Sequence, residues 1–552
     1  MKFPFLMLIG GVFLFACGLR PSEELATPPY QDFPFRPNIV WLVAEDLGPY
    51  IPPFGDSTVA TPTLSRLAAE GIRYTHAFSP SGVCAPSRSA LASGMYPSHI
   101  GSHHMRTGGN PLYFAPGLKP YEAVIPPEVR MHSEHLRRAG YYCTNNSKED
   151  YQWNKPVTAW DESSKQAHWR NRTPGQPFFA IFNFEVTHES RIWVKAEDSL
   201  WVDQNLDVPV PPYLPDNDIG RKDIRRMYSN IKEMDAQVGE IIRQLEEDNL
   251  LDSTIIFWYA DHGGPLPRMK RLCYDSGLRL PLIIRFPDKR NAGEIDDQLV
   301  SFVDFKPTLL SLAGIEPPAY VDGRAFLGKY ANKPQRKYIH GGADRMDSEY
   351  DMVRAVRDHQ FKYLRNYRPE LGYYMKVVYR EQMPIMQELL RMREAGELNE
   401  IQAQWFRESK PKEELFDCIN DPHELHNLAE LPQYREKLAE LREECDRWMA
   451  EIQDRGLLPE PEFLETIWPG QIQPETAEPE TVFTGGKIAV SCPTAGASIG
   501  YQILPEEAEP GARWMVYQEP LSLKPGEKLV VQAHRIGYKP SSTLVLPTRA
   551  PD

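Results

Sequence analysis

Asn38-Ile39-Val40-Trp41-Leu42-Val43-Ala44-Glu45-Asp46 decides the fold: seven uncharged residues, rich in β-branched and aromatic side chains, stop abruptly at two adjacent carboxylates. A strand buried on both faces reads as such an unbroken run, because helices cover it above and below. Downstream, Thr61-Pro62 starts a helix with Leu64, Leu67 and Ala68 on one face, the proline sitting where a helix tolerates it. Phe178-Phe179-Ala180-Ile181-Phe182-Asn183-Phe184 is a second buried strand, closely followed by His188. Ile224, Met227, Tyr228, Ile231, Met234, Val238, Ile241, Ile242 and Leu245 recur at helical spacing and predict a long amphipathic helix. It feeds the strand Thr254-Ile255-Ile256-Phe257-Trp258-Tyr259-Ala260, which ends at Asp261-His262, and Leu282 to Phe286 closes the pattern. Strands alternating with helices predict an α/β domain over residues 37–313, built on a mostly parallel sheet sandwiched by helices. Ligands of such sheets gather beyond the carboxyl ends of the strands. Glu45-Asp46, His188 and Asp261-His262 each follow a strand, so they converge on one cleft.

Residues 314–457 mix short strands (Gln360 to Leu364) with helices (Tyr434 to Gln453) and read as a smaller α+β subdomain. Residues 458–483 are rich in Pro and Glu and read as a linker. In 484–552, short alternating runs such as Leu529-Val530-Val531-Gln532-Ala533 lie between Pro and Gly turns and predict a small β-sandwich. At the other end, Lys2 precedes the apolar run Phe5 to Phe15, too short to span a bilayer, which ends in Leu14-Phe15-Ala16-Cys17. Residues 1–17 therefore read as a lipoprotein signal peptide with the lipid on Cys17, and 18–36 as a polar, Pro-rich tether. The expectation is an exported protein, periplasmic or cell-surface, that meets the membrane only through that lipid.

Sixty-two basic residues against 76 acidic ones give a net charge of −14, which argues against nucleic acid as a partner. An anionic substrate then demands that positive charge be concentrated at the site. Seven cysteines are present, and removing Cys17 (lipid) and Cys84 (see below) leaves an odd five, so no full disulfide framework is expected, with room for one or two bridges.

Cys84-Ala85-Pro86-Ser87-Arg88 carries the chemistry. A formylglycine-generating maturation enzyme reads Cys-x-Pro-Ser-Arg and oxidises the cysteine to an aldehyde, whose hydrate can attack a sulfate ester and be restored when sulfate is eliminated. Adjacent carboxylates at one strand end, Glu45 and Asp46, repel unless a cation binds them. With Asp261 they suit a hard divalent ion, Ca²⁺ first, with Mg²⁺ or Mn²⁺ as alternatives, and His262 adds a nitrogen.

Together these motifs resemble the formylglycine-dependent type I sulfatases of the alkaline-phosphatase superfamily, from Pro37 to about Ala429. The first metal strand (Arg36-Pro37-Asn38-Ile39-Val40 through Glu45-Asp46), the maturation signature (Cys84 to Leu91 with Gly94 and Pro97), the second metal segment (Ala260-Asp261-His262-Gly263) and the late signature (Leu415-Phe416-Asp417, Asp421-Pro422, Asn427-Leu428-Ala429) occur in order. The resemblance implies Glu45, Asp46, Cys84, Asp261 and His262 as metal ligands. It makes formylglycine at Cys84 the nucleophile, Arg88 its anchor, Lys148 and Lys270 the sulfate-binding lysines and His188 the leaving-group acid. The implied reaction has two steps: the hydrate oxygen displaces the protonated leaving group from sulfur, then the second hydroxyl loses its proton and sulfate is expelled. Two positions depart from the family: Glu45 replaces the usual Asp, and Asp150 stands where a His is usual, two residues after Lys148. His104 or a water is the expected substitute proton acceptor.

His99-Ile100-Gly101-Ser102-His103-His104-Met105-Arg106 and Tyr141 to Lys148 look like the branch likened to N-sulfoglucosamine sulfohydrolases. That likeness implies a sulfated glycan, with heparin-type glucosamine favoured, and substrate contacts from His103, His104, Asp344 and Arg345. The tail around Cys492 to Tyr501 resembles the small sandwich of chitobiase-type enzymes. A phosphodiester or phosphonate monoester hydrolase of the same superfamily, and an inactive glycan-binding surface lipoprotein, are the competing classes.

Overall fold

The computed structural model describes Met1 and residues 36–108, 117–331 and 334–547. The signal peptide, Cys17 and nearly all of the tether lie outside the described residues. The main sheet has eight strands: β1 (Asn38–Ala44), β2 (Ile72–Phe78), β3 (Tyr142–Asn146), β4 (Glu162–Ser163), β5 (Phe178–Phe184), β6 (Thr254–Ala260), β7 (Arg279–Arg285) and β8 (Ile295–Ser301). Their order is β4-β3-β5-β1-β6-β7-β2-β8. Every pairing from β4 to β6 is parallel; β7 alone is reversed, antiparallel to both β6 and β2. Hence β3, β5, β1 and β6 all present their carboxyl ends on the same edge.

All seven residues of β1 are buried, as the unbroken run requires. Trp41 meets Phe179 at 5.1 Å and Tyr259 at 5.7 Å edge to face, so one indole joins three strands. A fully buried large apolar side chain of this kind stabilises by roughly 1.5–3 kcal/mol. Helix α1 (Pro62–Glu70) buries Leu64, Leu67 and Ala68. Its first free N–H groups are satisfied from a distance: Thr63 and Leu64 donate to Asp235 at 3.2 and 2.8 Å. Asp235 belongs to the long helix Asp218–Glu247, which is itself capped by the Asn217 side chain accepting from Gly220 N–H at 3.0 Å. Helix α2 (Cys84–Ser93) is buried along its whole length.

A second sheet, β12-β11-β10-β9, is antiparallel and built from β9 (Ile339–Ala343), β10 (Val353–Arg357), β11 (Phe361–Asn366) and β12 (Glu413–Asp417), with the helix Arg435–Glu451 against it. The tail holds the hairpin β13 (Glu480–Thr484) and β14 (Lys487–Ser491) and a four-stranded sheet β16-β15-β17-β18 from β15 (Ser498–Pro505), β16 (Met515–Val516), β17 (Glu527–His534) and β18 (Leu544–Pro547). Ile488, Val490, Leu529 and Val531 form its core. The tail docks on the α/β domain, Arg513 reaching Asp161 at 2.9 Å.

Residues expected as linker include the helix Glu460–Ile467, which buries Phe463 and Leu464. The Pro and Glu content hid an apolar stripe of Phe463, Leu464, Ile467 and Trp468, which packs on Tyr121. All six described cysteines are free thiols.

His132 lies among Trp41, Trp160 and Phe179, and burial with Lys306 nearby pushes its imidazole down to about 3. An unfolded chain takes that proton near 6.5, so stability is full above that pH and is lost as pH falls toward 3. His132→Phe is expected to flatten the acid slope by about 1.4 kcal/mol per pH unit between pH 6 and 4, read from urea midpoints. An unchanged slope would show that His132 is not held neutral.

Candidate active site

Glu45 and Asp46 follow β1, Asp261 and His262 follow the adjacent β6, His188 follows β5 after one short turn, and Lys148 lies two residues past β3. Four neighbouring parallel strands thus deliver one cleft, and α2 brings Cys84 to it as its first residue. Asp46 turns there with φ +48, a left-handed conformation that Asp tolerates better than most residues. Gly263 is required by the next segment: a Cβ there would stand 2.2 Å from the Ser276 carbonyl oxygen.

Asp46 is the hub. Its Oδ1 lies 3.0 Å from His262 Nε2 and 3.8 Å from Cys84 Sγ, and Cys84 Sγ is 3.4 Å from His262 Nε2. Asp261 Oδ1 accepts the Asp46 N–H at 3.0 Å, and its Oδ2 accepts Arg88 Nε at 3.1 Å. One donor atom each from Asp46, Cys84, Asp261 and His262 fall within 4.8 Å of one another, all buried. Glu45 stands beside this quartet rather than in it: its Oε2 accepts Lys148 Nζ at 2.9 Å, while Oε1 is buried with no hydrogen bond. Two carboxylates and an imidazole, with a Glu45 oxygen beside them that faces Arg88 Nη2 at 3.6 Å, suit a hard divalent cation. The sulfur of Cys84 occupies the position that the sequence reading assigns to the oxygen of a hydrated formylglycine.

Burial opposes charge on Asp46 and Asp261, and neighbouring cations overcome it. Lys270, His188 and His262 hold Asp46 well below its ordinary value, and His262 and Arg88 hold Asp261 down at about 2. Burial works against a charged His262, but Asp261 and Asp46 draw its imidazole up to about 10, so that a cation would replace a proton on binding. Burial raises Glu45 despite Lys148 and Arg88.

The positive charge demanded by an acidic protein is gathered here. Lys270 Nζ donates to both Asp46 oxygens at 3.0 and 2.8 Å and lies 3.4 Å from His188 Nε2. Arg88 Nη1 donates to Asn183 Oδ1 at 2.7 Å. His188 Nδ1 is 2.8 Å from Ser190 Oγ. Burial and Lys270 push His188 below its usual value; an anion between the two would supply the opposite charge.

Several residues of the cleft were missed from the sequence. Glu189 accepts two bonds from Arg271 at 2.9 and 2.8 Å, lies 3.1 Å from Lys270, and its N–H donates to Asp46 Oδ2 at 2.7 Å. Arg271 also reaches Asp347 at 3.3 Å. Arg106, with φ +61, lies 3.7 Å from Asp150 and 3.9 Å from Asp347. The Tyr379 ring stands 6.3 Å from His188. Asn183, a lone polar residue inside an apolar strand, was a signal left unread. Glu189 and Arg271 adjoin residues that were read, whereas nothing marked Tyr379 or Asp347.

Four expected substrate contacts are placed elsewhere. Asp344 is buried and pairs with Arg354 Nη2 at 3.1 Å; Arg345 is buried and pairs with Glu460 at 2.6 Å. Both are used to join segments, which corrects their reading as sugar contacts. His103 and His104 are likewise buried, their rings 4.1 Å apart and His103 packed on Phe463 at 5.5 Å. Burial, with Arg354 adding to it, pushes His103 down to about 4; burial and His103 push His104 well below its ordinary value. The His104 Nδ1 accepts the Arg345 N–H at 3.3 Å. Neither ring makes a described contact with the quartet. Asp150 lies 4.0 Å from Lys148 Nζ.

The chain matches the family model for sulfatases over residues 37–315 and that for the C-terminal part of N-sulphoglucosamine sulphohydrolase over 268–375. An ulvan-active sulfatase of Formosa agariphila is 53% identical over 550 residues, covering 93% of this chain and 92% of that one. Human N-sulphoglucosamine sulphohydrolase is 24% identical, covering 79% and 94%. In fold, the chain is similar to BT4656 solved with D-glucosamine-2-N,6-O-disulfate, with a TM-score of 0.55 at 18% identity over 76% of this chain and 99% of that one.

Proposed function

The chain belongs to the sulfatase family, and we propose that it removes sulfate from a sulfated glycan of the ulvan type, with formylglycine at Cys84 as nucleophile. The observation that carries the mechanism is the buried quartet of Asp46, Cys84, Asp261 and His262, flanked by Arg88, Lys148, His188 and Lys270. The substrate reading leans on the relative that shares 53% of its residues across nearly the whole chain.

Asp46, Asp261, His262 and the oxygen borne by residue 84 would hold the divalent cation, Ca²⁺ by preference, with Glu45 alongside; the ion would draw electron density from a sulfate oxygen. The aldehyde hydrate supplies an oxygen nucleophile that is regenerated once sulfate departs. The chain's own residues do the rest. Arg88, fixed by Asp261 and Asn183, holds position 84 at the head of α2. Lys148 and Lys270 flank the sulfate and stabilise its equatorial oxygens as charge builds on them. His188, oriented by Ser190, delivers a proton to the departing sugar oxygen. With Asp150 where the family usually has a His, the proton released with sulfate goes to water.

All residues of Cys84–Ser93 are buried, so the maturation enzyme must read Cys84 to Arg88 before the chain folds. Export through residues 1–17 and anchoring at Cys17 complete the reading, since an extracellular polysaccharide is met outside the cell. A heparin-type substrate is the second reading, favoured by the match at residues 268–375.

The test is sulfate release, by ion chromatography, from ulvan oligosaccharides beside N-sulfated and 6-O-sulfated glucosamine, using protein made with a formylglycine-generating partner. Release from ulvan fragments alone is expected. Release from glucosamine alone would transfer the substrate to the heparin class. Silence on both, with the aldehyde confirmed at Cys84 by peptide mass, would sink the glycan reading.

A further inference from the structure

One ion-pair step beyond Lys148 the surface opens into a groove of 430 Å³ whose lining includes Arg106, Tyr121, Asp150, Gln152, Trp153 and Trp468. Its far wall comes from the segment expected to be a linker. Trp468 ends the helix Glu460–Ile467 and is fixed by its indole N–H donating to the Gly537 carbonyl at 3.1 Å. The near wall is the pair Arg106 and Asp150, which also borders Lys148.

Arg106 is the unusual member. Its side chain is 34% exposed, and its nearest carboxylates, at 3.7 and 3.9 Å, meet its charge without accepting a hydrogen bond. Among the described residues no acceptor is hydrogen-bonded to its guanidinium, so five N–H donors remain for a ligand. Both Arg106 and Asp150 are held in left-handed backbone, φ +61 and +53, a strain that structures retain at binding sites more often than elsewhere. Trp153, also in the lining, has its indole N–H buried with no partner.

Resting on the sulfatase reading above, we propose that this groove is the subsite for the sugar next to the sulfated one. It takes that sugar by two adjacent hydroxyls, one donating to Asp150 and one accepting from Arg106. The charge balance selects hydroxyls over a second acid group. An acid bound at Arg106 would lie close to the carboxylates of Asp150 and Asp347, which Arg106 shares with Lys148 and Arg271, whereas a diol satisfies both members of the pair and brings no charge. Tryptophan among polar side chains suits the apolar face and hydroxyl rim of a pyranose.

The experiment compares kcat/KM for 4-nitrophenyl sulfate with that for sulfated ulvan disaccharides and tetrasaccharides, before and after carboxyl reduction with carbodiimide and borohydride. For the wild type, the longer fragments are expected to exceed the aryl sulfate at least tenfold, and carboxyl reduction to change them less than threefold. Arg106→Ala and Asp150→Asn are each expected to lower the oligosaccharide-to-aryl ratio at least tenfold, chiefly through KM. Circular dichroism and the melting temperature establish that each variant is folded. Equal loss on both substrates would assign Arg106 to the sulfate itself and overturn the subsite. A tenfold loss on carboxyl reduction would overturn the choice of hydroxyls. Wild-type activity on neither substrate would sink the sulfatase reading, and the subsite with it.

Discussion

Cys84→Ala leaves sulfate release about 10⁴-fold or more below the matured enzyme, on glycan and aryl sulfate alike. The expectation follows from what surrounds position 84. Within the quartet the other donors are Asp46, Asp261 and His262, and each is already committed: Asp46 to Lys270 and the Glu189 N–H, Asp261 to Arg88, His262 to Asp46. None carries a hydroxyl or thiol that could replace the lost nucleophile. Alanine also fits the buried head of α2 without disturbing it, so the loss reads chemistry rather than unfolding; an unchanged melting temperature checks this. Cys84→Ser separates the two halves of the reaction. A serine hydroxyl can attack sulfur but has no second hydroxyl with which to expel sulfate, so a single turnover should end in a stable sulfated protein, visible by peptide mass. Multiple turnovers by either variant would remove formylglycine from the mechanism. Because α2 is buried from end to end, adding the maturation enzyme to folded, unmodified protein should restore nothing, whereas coexpression should.

Legibility in this sequence followed the range of the forces that act on it. The buried strands were readable because covering both faces of a parallel sheet leaves no choice of residue, and Asn38 to Ala44 announces that in one line. Glu45, Asp46, Asp261 and His262 were readable because they sit at strand ends on one edge, so topology alone brings them together. What stayed hidden depends on partners distant in the chain. Asp235 caps α1 across 171 residues, and Arg271 braces Glu189 across 82. Asp344 and Arg345 have the residue types of a sugar site, and only the positions of Arg354 and Glu460 reveal them as structural. The helix Glu460–Ile467 was masked by composition: its prolines and glutamates describe a linker, yet Phe463 and Leu464 insert fully into the core.

Arg354→Leu is expected to destabilise the protein by about 3–5 kcal/mol, because it removes one charge from a buried trio and leaves two others uncompensated. Arg354 is fully buried on β10. Its Nη2 lies 3.1 Å from Asp344 Oδ1, and the same guanidinium donates to Asp454 at 2.5 and 2.9 Å. Two carboxylates share one guanidinium, and Asp344 shows the strain: burial, with Asp454 adding to it against the pull of Arg354, pushes it up to about 7. Leucine fills much of the arginine stem, so the loss reads charge more than volume. A carboxyl held above its unfolded value binds its proton more tightly when folded, so acid favours the fold and rising pH works against it. The deficit of Arg354→Leu relative to wild type should therefore be largest near pH 8 and shrink toward pH 6. Adding Asp344→Asn and Asp454→Asn should recover much of the stability, since replacing all members of a buried ionic cluster is far less costly than orphaning two of them. Denaturant midpoints of the single and triple variants at both pH values decide it. A triple variant no more stable than Arg354→Leu would show that the arginine holds β10 to the Asp454 turn through geometry, not by cancelling charge.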